Sequence, residues 1–154
     1  IENSAALSLA ISKMLNTIQT SAQDAHIEGV LLQEMVHGLG EAIVGLHRDN
    51  LVGPMITVGA GGVFTEIYKD ISIRPAPVTL DTAHKMIAEV KGFASLRGYR
   101  GGRATDLEPL AQAITAVSQL GKYEQIAEAE INPLLICEGR VVMVDSLIRV
   151  AAQK

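Results

Sequence analysis

Side-chain oxygens interrupt the last two apolar segments of the sequence, where an ordinary core strand would be apolar. The segments flank a turn at Glu138-Gly139. If these two residues form the whole turn, Cys137 pairs with Arg140, and Asn132 then lies opposite Asp145. Side chains paired in this way share a face of the sheet, with Cβ atoms roughly 5 Å apart. An amide and a carboxylate at that separation suit a hard cation such as Mg²⁺.

Glu128, Glu130 and Asn132 lie on one face of the first of these strands, because side chains alternate between the two faces. Asp145 joins them if the register is right. Such a set could bind Mg²⁺ and the phosphates that Mg²⁺ bridges. A solvated face of an edge strand is the alternative. Pro133 removes one backbone donor and favours an edge or a bulge, and a three-residue loop would slip the register by one.

Three other groups of residues are candidates for ligand binding. Glu34 and Glu41 stand in apolar runs and could meet a ribose or an amine; an exposed strand face or a local ion pair is the alternative. The loop Gly59–Gly62 lets the backbone approach a phosphate, or is a tight connection between strands. Arginines can clamp phosphates or lie solvated on the surface; they are Arg74, Arg97, Arg100 and Arg103.

The histidines show no spacing typical of metal ligands, so a zinc site is not predicted. His37 and His47 could act as acid–base groups, and ordinary surface histidines are the alternative. Cys137 has no basic neighbour in sequence, which predicts a buried thiol.

The periodicity and length of the apolar patterns assign these residues to predicted helices and strands. A helix is predicted over residues 4–21, and two more carry the apolar stripes Ala83–Val90 and Leu107–Val117. Short turns connect the predicted strands, at 30–36, 41–47, 55–58, 63–68, 71–74 and in the closing hairpin. Consecutive strands joined in this way favour an α+β fold with a mainly antiparallel sheet and helices on one face.

Composition narrows the function classes. The 154 residues carry a formal net charge of −4 with scattered Lys and Arg, which argues against nucleic acid or an anionic membrane as partner. One Cys fits a reducing compartment, and the chain shows no signal peptide and no apolar run long enough to span a bilayer, so a cytoplasmic protein is expected. The core must be aliphatic, because the chain has no Trp, two Phe and three Tyr.

Several segments together carry a resemblance to a known family. In order along the chain they are Gly29–Val36, Glu41–Asp49, Gly53–Met55, Gly59–Glu66, Lys69–Pro77, Lys91-Gly92, Gly98–Gly101 and Glu130–Leu134. The combination resembles the ATP-grasp domain of ADP-forming acyl-CoA synthetases of the acetate type, which are relatives of the succinyl-CoA synthetase β subunit. Each segment alone is weak evidence for the family, whereas the segments in this order are specific to it.

The resemblance implies the second subdomain of an ATP-grasp fold, with ATP/ADP and Mg²⁺ as ligands. It implies that Asn132 and Asp145 are the Mg²⁺ ligands and that Glu130 lies close to the transferred phosphoryl group. It also implies a set of residues near the nucleotide: Gln33, Glu34, Met35, Val36, Glu41, Gly61, Gly62 and Arg74.

The family's N-terminal subdomain, with a lysine and a glycine-containing strand that hold the triphosphate, has no counterpart in this sequence. Residues 1–154 are therefore expected to form a single domain, the C-terminal portion of an ATP-grasp domain, that binds ATP weakly or not at all alone. The implied partner is a CoA-binding domain or α subunit that carries a phosphohistidine, and homo- or hetero-oligomers are expected assemblies.

The implied reaction converts acyl-CoA, ADP and phosphate to carboxylate, CoA and ATP. A different class of function is a regulatory module, fused to an acyltransferase, that senses nucleotide or acyl-CoA without turnover. A succinate-type ligase is a third alternative. The segments Arg74–Pro77 and Gly98–Gly101 favour the acetate-type branch.

Overall fold

A computed structural model describes residues 1–62, 69–99 and 104–151. The chain divides into two compact units, residues 1–35 and 36–154. The assignment of residues 1–154 to a single domain stays a prediction.

The strand expected over residues 63–68 lies outside the described residues. No helix in the described part is both long enough and apolar enough to cross a membrane.

The first unit contains helix α1, Ser4–Ser21, whose bounds confirm the predicted helix. The Asn3 side chain caps it, because Oδ1 accepts a hydrogen bond from the Ala6 N–H at 2.9 Å. None of its residues is buried.

The strand predicted over residues 30–36 is wrong, because these residues have no regular secondary structure. Leu31 and Met35 are 81% and 80% exposed. A strand needs a neighbouring strand for its backbone hydrogen bonds, and no described strand pairs with this segment. The apolar run alone therefore could not distinguish a strand from an extended segment.

In the described part of the second unit, six strands form an antiparallel sheet. Its strands are β1 (Gly40–Asp49), β2 (Gly53–Ala60), β3 (Ile71–Pro75), β4 (Ile126–Cys137), β5 (Arg140–Met143) and β6 (Ser146–Val150). The order is β3-β2-β1-β4-β5, and β6 also pairs with β4. This arrangement confirms the predicted antiparallel α+β class.

Two helices, α2 (Leu80–Glu89) and α3 (Glu108–Ser118), cover one face of this sheet; short 3₁₀ turns follow at Lys91–Ala94 and Gln119–Lys122. The aliphatic core lies between the sheet and these helices. It includes Val44 and Leu46 of β1, Met86 of α2 and Ile114 of α3, all at most 1% exposed.

The closing hairpin has the predicted register. Cys137 pairs with Arg140, and Leu134 pairs with Met143. The same register continues beyond the hairpin, where Ile131 of β4 pairs with Ser146 of β6. The thiol of Cys137 is buried, as predicted.

A β-bulge interrupts β4 where it passes the central strand β1. Ala42 faces Leu134 and Val44 faces Ile131, so Asn132 and Pro133 together oppose the single residue Ile43. The proline therefore marks a bulge, one of the two possibilities that the sequence left open.

Candidate functional site

The side of the sheet that α2 and α3 do not cover carries the predicted metal-binding residues. We call it the open face, and its β1 members are Glu41, Ile43, Gly45 and His47. They alternate with the buried Ala42, Val44 and Leu46 and are themselves half-buried or exposed. On the neighbouring strand β4, Glu130 lies opposite Gly45 and Glu128 lies opposite His47. Opposed residues share a face, so both carboxylates belong to the open face.

Glu130, Asn132 and Asp145 come together at the bulge. The Asn132 side-chain amide donates from Nδ2 to Glu130 Oε1 at 3.3 Å. The Asn132 backbone N–H donates to the Asp145 carbonyl oxygen at 3.1 Å. The Asp145 carboxylate accepts a hydrogen bond from the Ser146 N–H at 2.8 Å. The structure therefore places Asp145, in the connection between β5 and β6, opposite Asn132 of β4, as the turn count predicted.

This set fits Mg²⁺ better than a cation that needs a complete protein cage. Among the described residues, no group of three or more His, Cys, Asp and Glu side chains could hold a metal ion. Asn132 and Asp145 are both exposed, and the Nδ2 donation to Glu130 leaves the Asn132 amide oxygen for a ligand. Mg²⁺ is commonly held by one or two carboxylates, with water and phosphate oxygens completing its octahedron.

Glu41, Gly61 and Gly62 form a second group at the start of β1. The Gly61 N–H donates to the Glu41 carbonyl oxygen at 2.6 Å. A Cβ at Gly61 would lie 2.5 Å from the Glu41 Cβ, so this close approach alone demands glycine. Gly62 has φ of +97°, a left-handed conformation that also favours glycine. The structure brings these three predicted residues together.

Arg74 lies on the opposite side of the sheet from Glu130. It pairs with Ile56 in the ladder between β2 and β3, and Ile56 is fully buried on the helix-covered face. The Arg74 guanidinium forms an ion pair with Glu89 of α2. Ser72 Oγ donates to the same carboxylate at 2.6 Å. Arg74 is thus engaged on the helix-covered face and is not brought together with the open-face residues.

The other predicted groups are dispersed. Arg97 donates to the Ile87 carbonyl oxygen at 2.7 Å and so binds the last turn of α2. Arg100 and Arg103 lie outside the described residues. In the first unit, Gln33, Glu34 and Met35 are exposed. Val36, at the start of the second unit, is half-buried.

Among the described residues, the carboxyl groups of Asp49 and Glu89 have lowered pKa values, and both stabilise the fold. The Leu51 and Val52 N–H groups donate to Asp49 in the β1–β2 turn and hold its pKa below the usual 3.8. The Ser72 hydroxyl, with Arg74, holds the pKa of Glu89 below the usual 4.5.

Sequence reasoning did not assign a ligand-binding role to Gly45 or Thr57. Both line a shallow cavity of about 240 Å³ on the open face, together with Ile43, His47, Glu128 and Glu130. Thr57 pairs with Gly45 and alternates with the buried Ile56 and Val58. That alternation was readable in the sequence, but it could not reveal which side of the strand the helices cover.

Comparison with known proteins agrees with this architecture. The sequence pattern of the ATP-grasp domain family matches residues 1–150. An ADP-forming acetate–CoA ligase I of Archaeoglobus fulgidus is 41% identical over 140 residues, covering 90% of this chain and 20% of that protein. The β subunit of an ADP-forming acetate–CoA ligase I from Pyrococcus furiosus is 36% identical, covering 89% of this chain and 60% of the subunit.

Solved structures of acetyl-coenzyme A synthetase 1 from Ca. Korarchaeum cryptofilum share the fold. One, with coenzyme A, acetyl-coenzyme A and a phosphorylated phosphohistidine segment, has a TM-score of 0.90 at 33% identity and covers 98% of this chain and 68% of that one. Another, with coenzyme A and Mg-AMPPCP, has its phosphohistidine segment pointing towards the nucleotide-binding site. It has a TM-score of 0.70 at 36% identity and covers 76% of this chain and 55% of that one.

The family match extends over nearly the whole chain, and the relatives and structures agree with it. This chain belongs to the ATP-grasp domain family, and its homologues are ADP-forming acetate–CoA ligases.

Proposed function

We propose that this chain forms one wall of the nucleotide site of an ADP-forming acyl-CoA synthetase. The observation that carries the proposal is the meeting of Glu130, Asn132 and Asp145 at the β4 bulge. The related synthetase that binds Mg-AMPPCP supports the same ligand class for this fold. The complete enzyme would interconvert acyl-CoA, ADP and phosphate with carboxylate, CoA and ATP.

In this proposal the chain contributes binding and orientation. Asn132 and Asp145 would hold Mg²⁺, which when bound neutralises phosphate charge and orients the transferred group. Glu130, hydrogen-bonded to Asn132, orients the amide so that its oxygen faces the ligand. The open face carries Glu41 and Glu128 as well, so phosphates would approach it only together with a cation.

The proposal includes a partner domain or subunit for residues 1–154. A CoA-binding domain or α subunit would bring a phosphohistidine to the open face, and the existence of a separate β subunit among the relatives supports a two-part enzyme. A cytoplasmic location belongs to the same proposal.

The test compares Asn132→Ala and Asp145→Ala with the parent in the complete enzyme, by assay of ATP formation from acyl-CoA, ADP and phosphate. Each substitution should lower kcat/KM roughly 100-fold, since loss of a ligand oxygen weakens charge neutralisation in the transition state. Asp24→Ala, which removes an exposed carboxylate in the first unit, should leave the rate unchanged. Full rates in both variants would refute the metal assignment.

A parent enzyme that binds ATP-Mg but forms no ATP would instead support the sensor function. The same assay therefore separates a catalytic from a regulatory role.

A further inference from the structure

Gly45 is a glycine on the open face whose presence within a strand is explained neither by a close approach nor by its backbone conformation. It lies in the middle of the central strand β1, where glycine weakens a strand because it lacks a packing side chain. A Cβ added at Gly45 would meet no atom within 4 Å, and its φ is not in the left-handed region.

Several other described glycines have a structural reason. A Cβ at Gly61 or Gly92 would lie 2.5 or 2.4 Å from a neighbouring Cβ atom. Gly53 and Gly139 have φ of +84° and +70°, which side chains rarely adopt. Gly29 also has open space around it, but it lies outside regular secondary structure, where glycine carries no strand penalty.

The space above Gly45 is a trench in the open face. Glu130 lies on one side and Thr57 on the other, as the two ladder partners of Gly45. Strand spacing puts these flanking residues roughly 10 Å apart. The Thr57 hydroxyl has no hydrogen bond within the described part of the chain and can donate into the trench.

The position of the trench indicates which part of the nucleotide could occupy it. Glu130 is hydrogen-bonded to Asn132, so the trench begins beside the proposed Mg²⁺ ligands. Gly45 is the ladder partner of Glu130, so it lies next to the residue that contacts Asn132. Thr57 can donate to a phosphate oxygen, whereas the Glu130 carboxylate can meet the phosphate only through the cation.

We propose that Gly45 is the floor against which the cation-bound phosphates of the nucleotide pack, and that Thr57 donates a hydrogen bond to them. This inference rests on the proposed function and adds two binding residues to it. A side chain at this position would fill the space that the phosphates occupy.

Three variants of the complete enzyme test the inference: Gly45→Ala, Gly45→Val and Thr57→Val. Calorimetry measures their Kd for ATP-Mg and for AMP, and Tm is measured without nucleotide. Tm should stay constant or rise for both Gly45 variants, because the added atoms meet open space and favour the strand. The Kd for ATP-Mg should rise about tenfold or more in Gly45→Val and by a smaller factor in Gly45→Ala. It should rise severalfold in Thr57→Val, which loses the hydroxyl donor. Kd for AMP should change little, because AMP lacks the phosphates assigned to the trench.

Gly29→Val is the matched control, because it adds the same side chain to a glycine with equally open space; its Kd should equal that of the parent. If the parent binds ATP-Mg and Gly45→Val binds it equally well, only this inference is overturned. Equal losses for AMP and ATP-Mg would refute the phosphate assignment. A parent that binds no nucleotide would refute the proposed function and this inference together.

Discussion

At the scale of single residues, different positions in this chain require glycine for different reasons. Gly61 and Gly92 are glycines because another part of the backbone or a side chain comes too close for a Cβ. Gly62 is a glycine because of its left-handed φ. Gly45 has neither of these structural reasons, and the bound ligand is the reason proposed for it. Substitution of each type should therefore affect a different measurable quantity.

Gly92→Ala should destabilise the fold by about 1–3 kcal/mol, the usual cost of overpacking. The new Cβ would lie 2.4 Å from the Ala60 Cβ, a rigid contact that only a shift of the backbone could relieve. Urea denaturation measures the change, and Gly29→Ala, where the space is open, serves as control. Equal stability of the two variants would show that the 3₁₀ turn moves away from β2 at little cost.

Arg74→Gln should lower stability and leave the affinity for ATP-Mg unchanged. Its guanidinium pairs with Glu89 on the helix-covered face, so its removal loses an attachment between β3 and α2 rather than a ligand contact. Glu89→Gln should lower Tm in the same direction, and the double variant should lose less than the sum of the two. A higher Kd for ATP-Mg with unchanged Tm would restore the phosphate-binding role that the sequence predicted.

At the scale of elements, the sheet depends on a few polar attachments that anchor its loops. Ser118 of α3 is fully buried; its hydroxyl donates to the Thr115 carbonyl oxygen at 2.7 Å and accepts from the Val78 N–H at 3.0 Å. Ser118→Ala should cost about 1–3 kcal/mol, because the Val78 N–H loses its partner in a buried site. Ser95→Ala, at an exposed position, should cost far less in the same urea titration.

The β1–β2 turn should make stability depend on pH. Hydrogen bonds from the Leu51 and Val52 N–H groups lower the pKa of Asp49 in the folded state. A lowered folded-state pKa gives stability that is complete above the unfolded pKa, near 3.8, and is lost as the pH falls through the folded value. Asp49→Asn should therefore be less stable than the parent at pH 7, with the difference shrinking below pH of about 4. A difference that stays constant from pH 7 to pH 3 would contradict this origin.

Features that depend on neighbouring residues, such as the register of a hairpin, were predicted correctly from the sequence. Features that depend on packing between distant segments were not. Turn counting placed Asn132 opposite Asp145 because a two-residue turn fixes the register of a hairpin. Arg74 was expected near the nucleotide, but the position of α2 shows that it lies on the helix-covered face and pairs with Glu89. The segment 30–36 was misassigned because an apolar run does not reveal whether a partner strand exists.

At the scale of the whole molecule, the sheet of residues 36–154 buries one face under its own helices and leaves the candidate site on the other. The cavity there is shallow, at about 240 Å³, and Glu130, Asn132 and Asp145 are half-buried or exposed. Sites for small molecules usually measure roughly 300–1,000 Å³ and bury at least 70% of the ligand surface. A ligand held against this face alone would remain in contact with water on its other side.

The isolated chain of 154 residues should therefore bind ATP-Mg with a Kd closer to millimolar than to micromolar. With one wall, the ligand gains only part of the contacts that a closed site provides, and loss of about 4 kcal/mol weakens binding roughly a thousandfold. Calorimetry on the isolated chain and on the complete enzyme measures both constants, and Asn132→Ala in the complete enzyme shows that binding occurs at the open face. Micromolar binding by the isolated chain would mean that residues 1–154 supply both walls of the site.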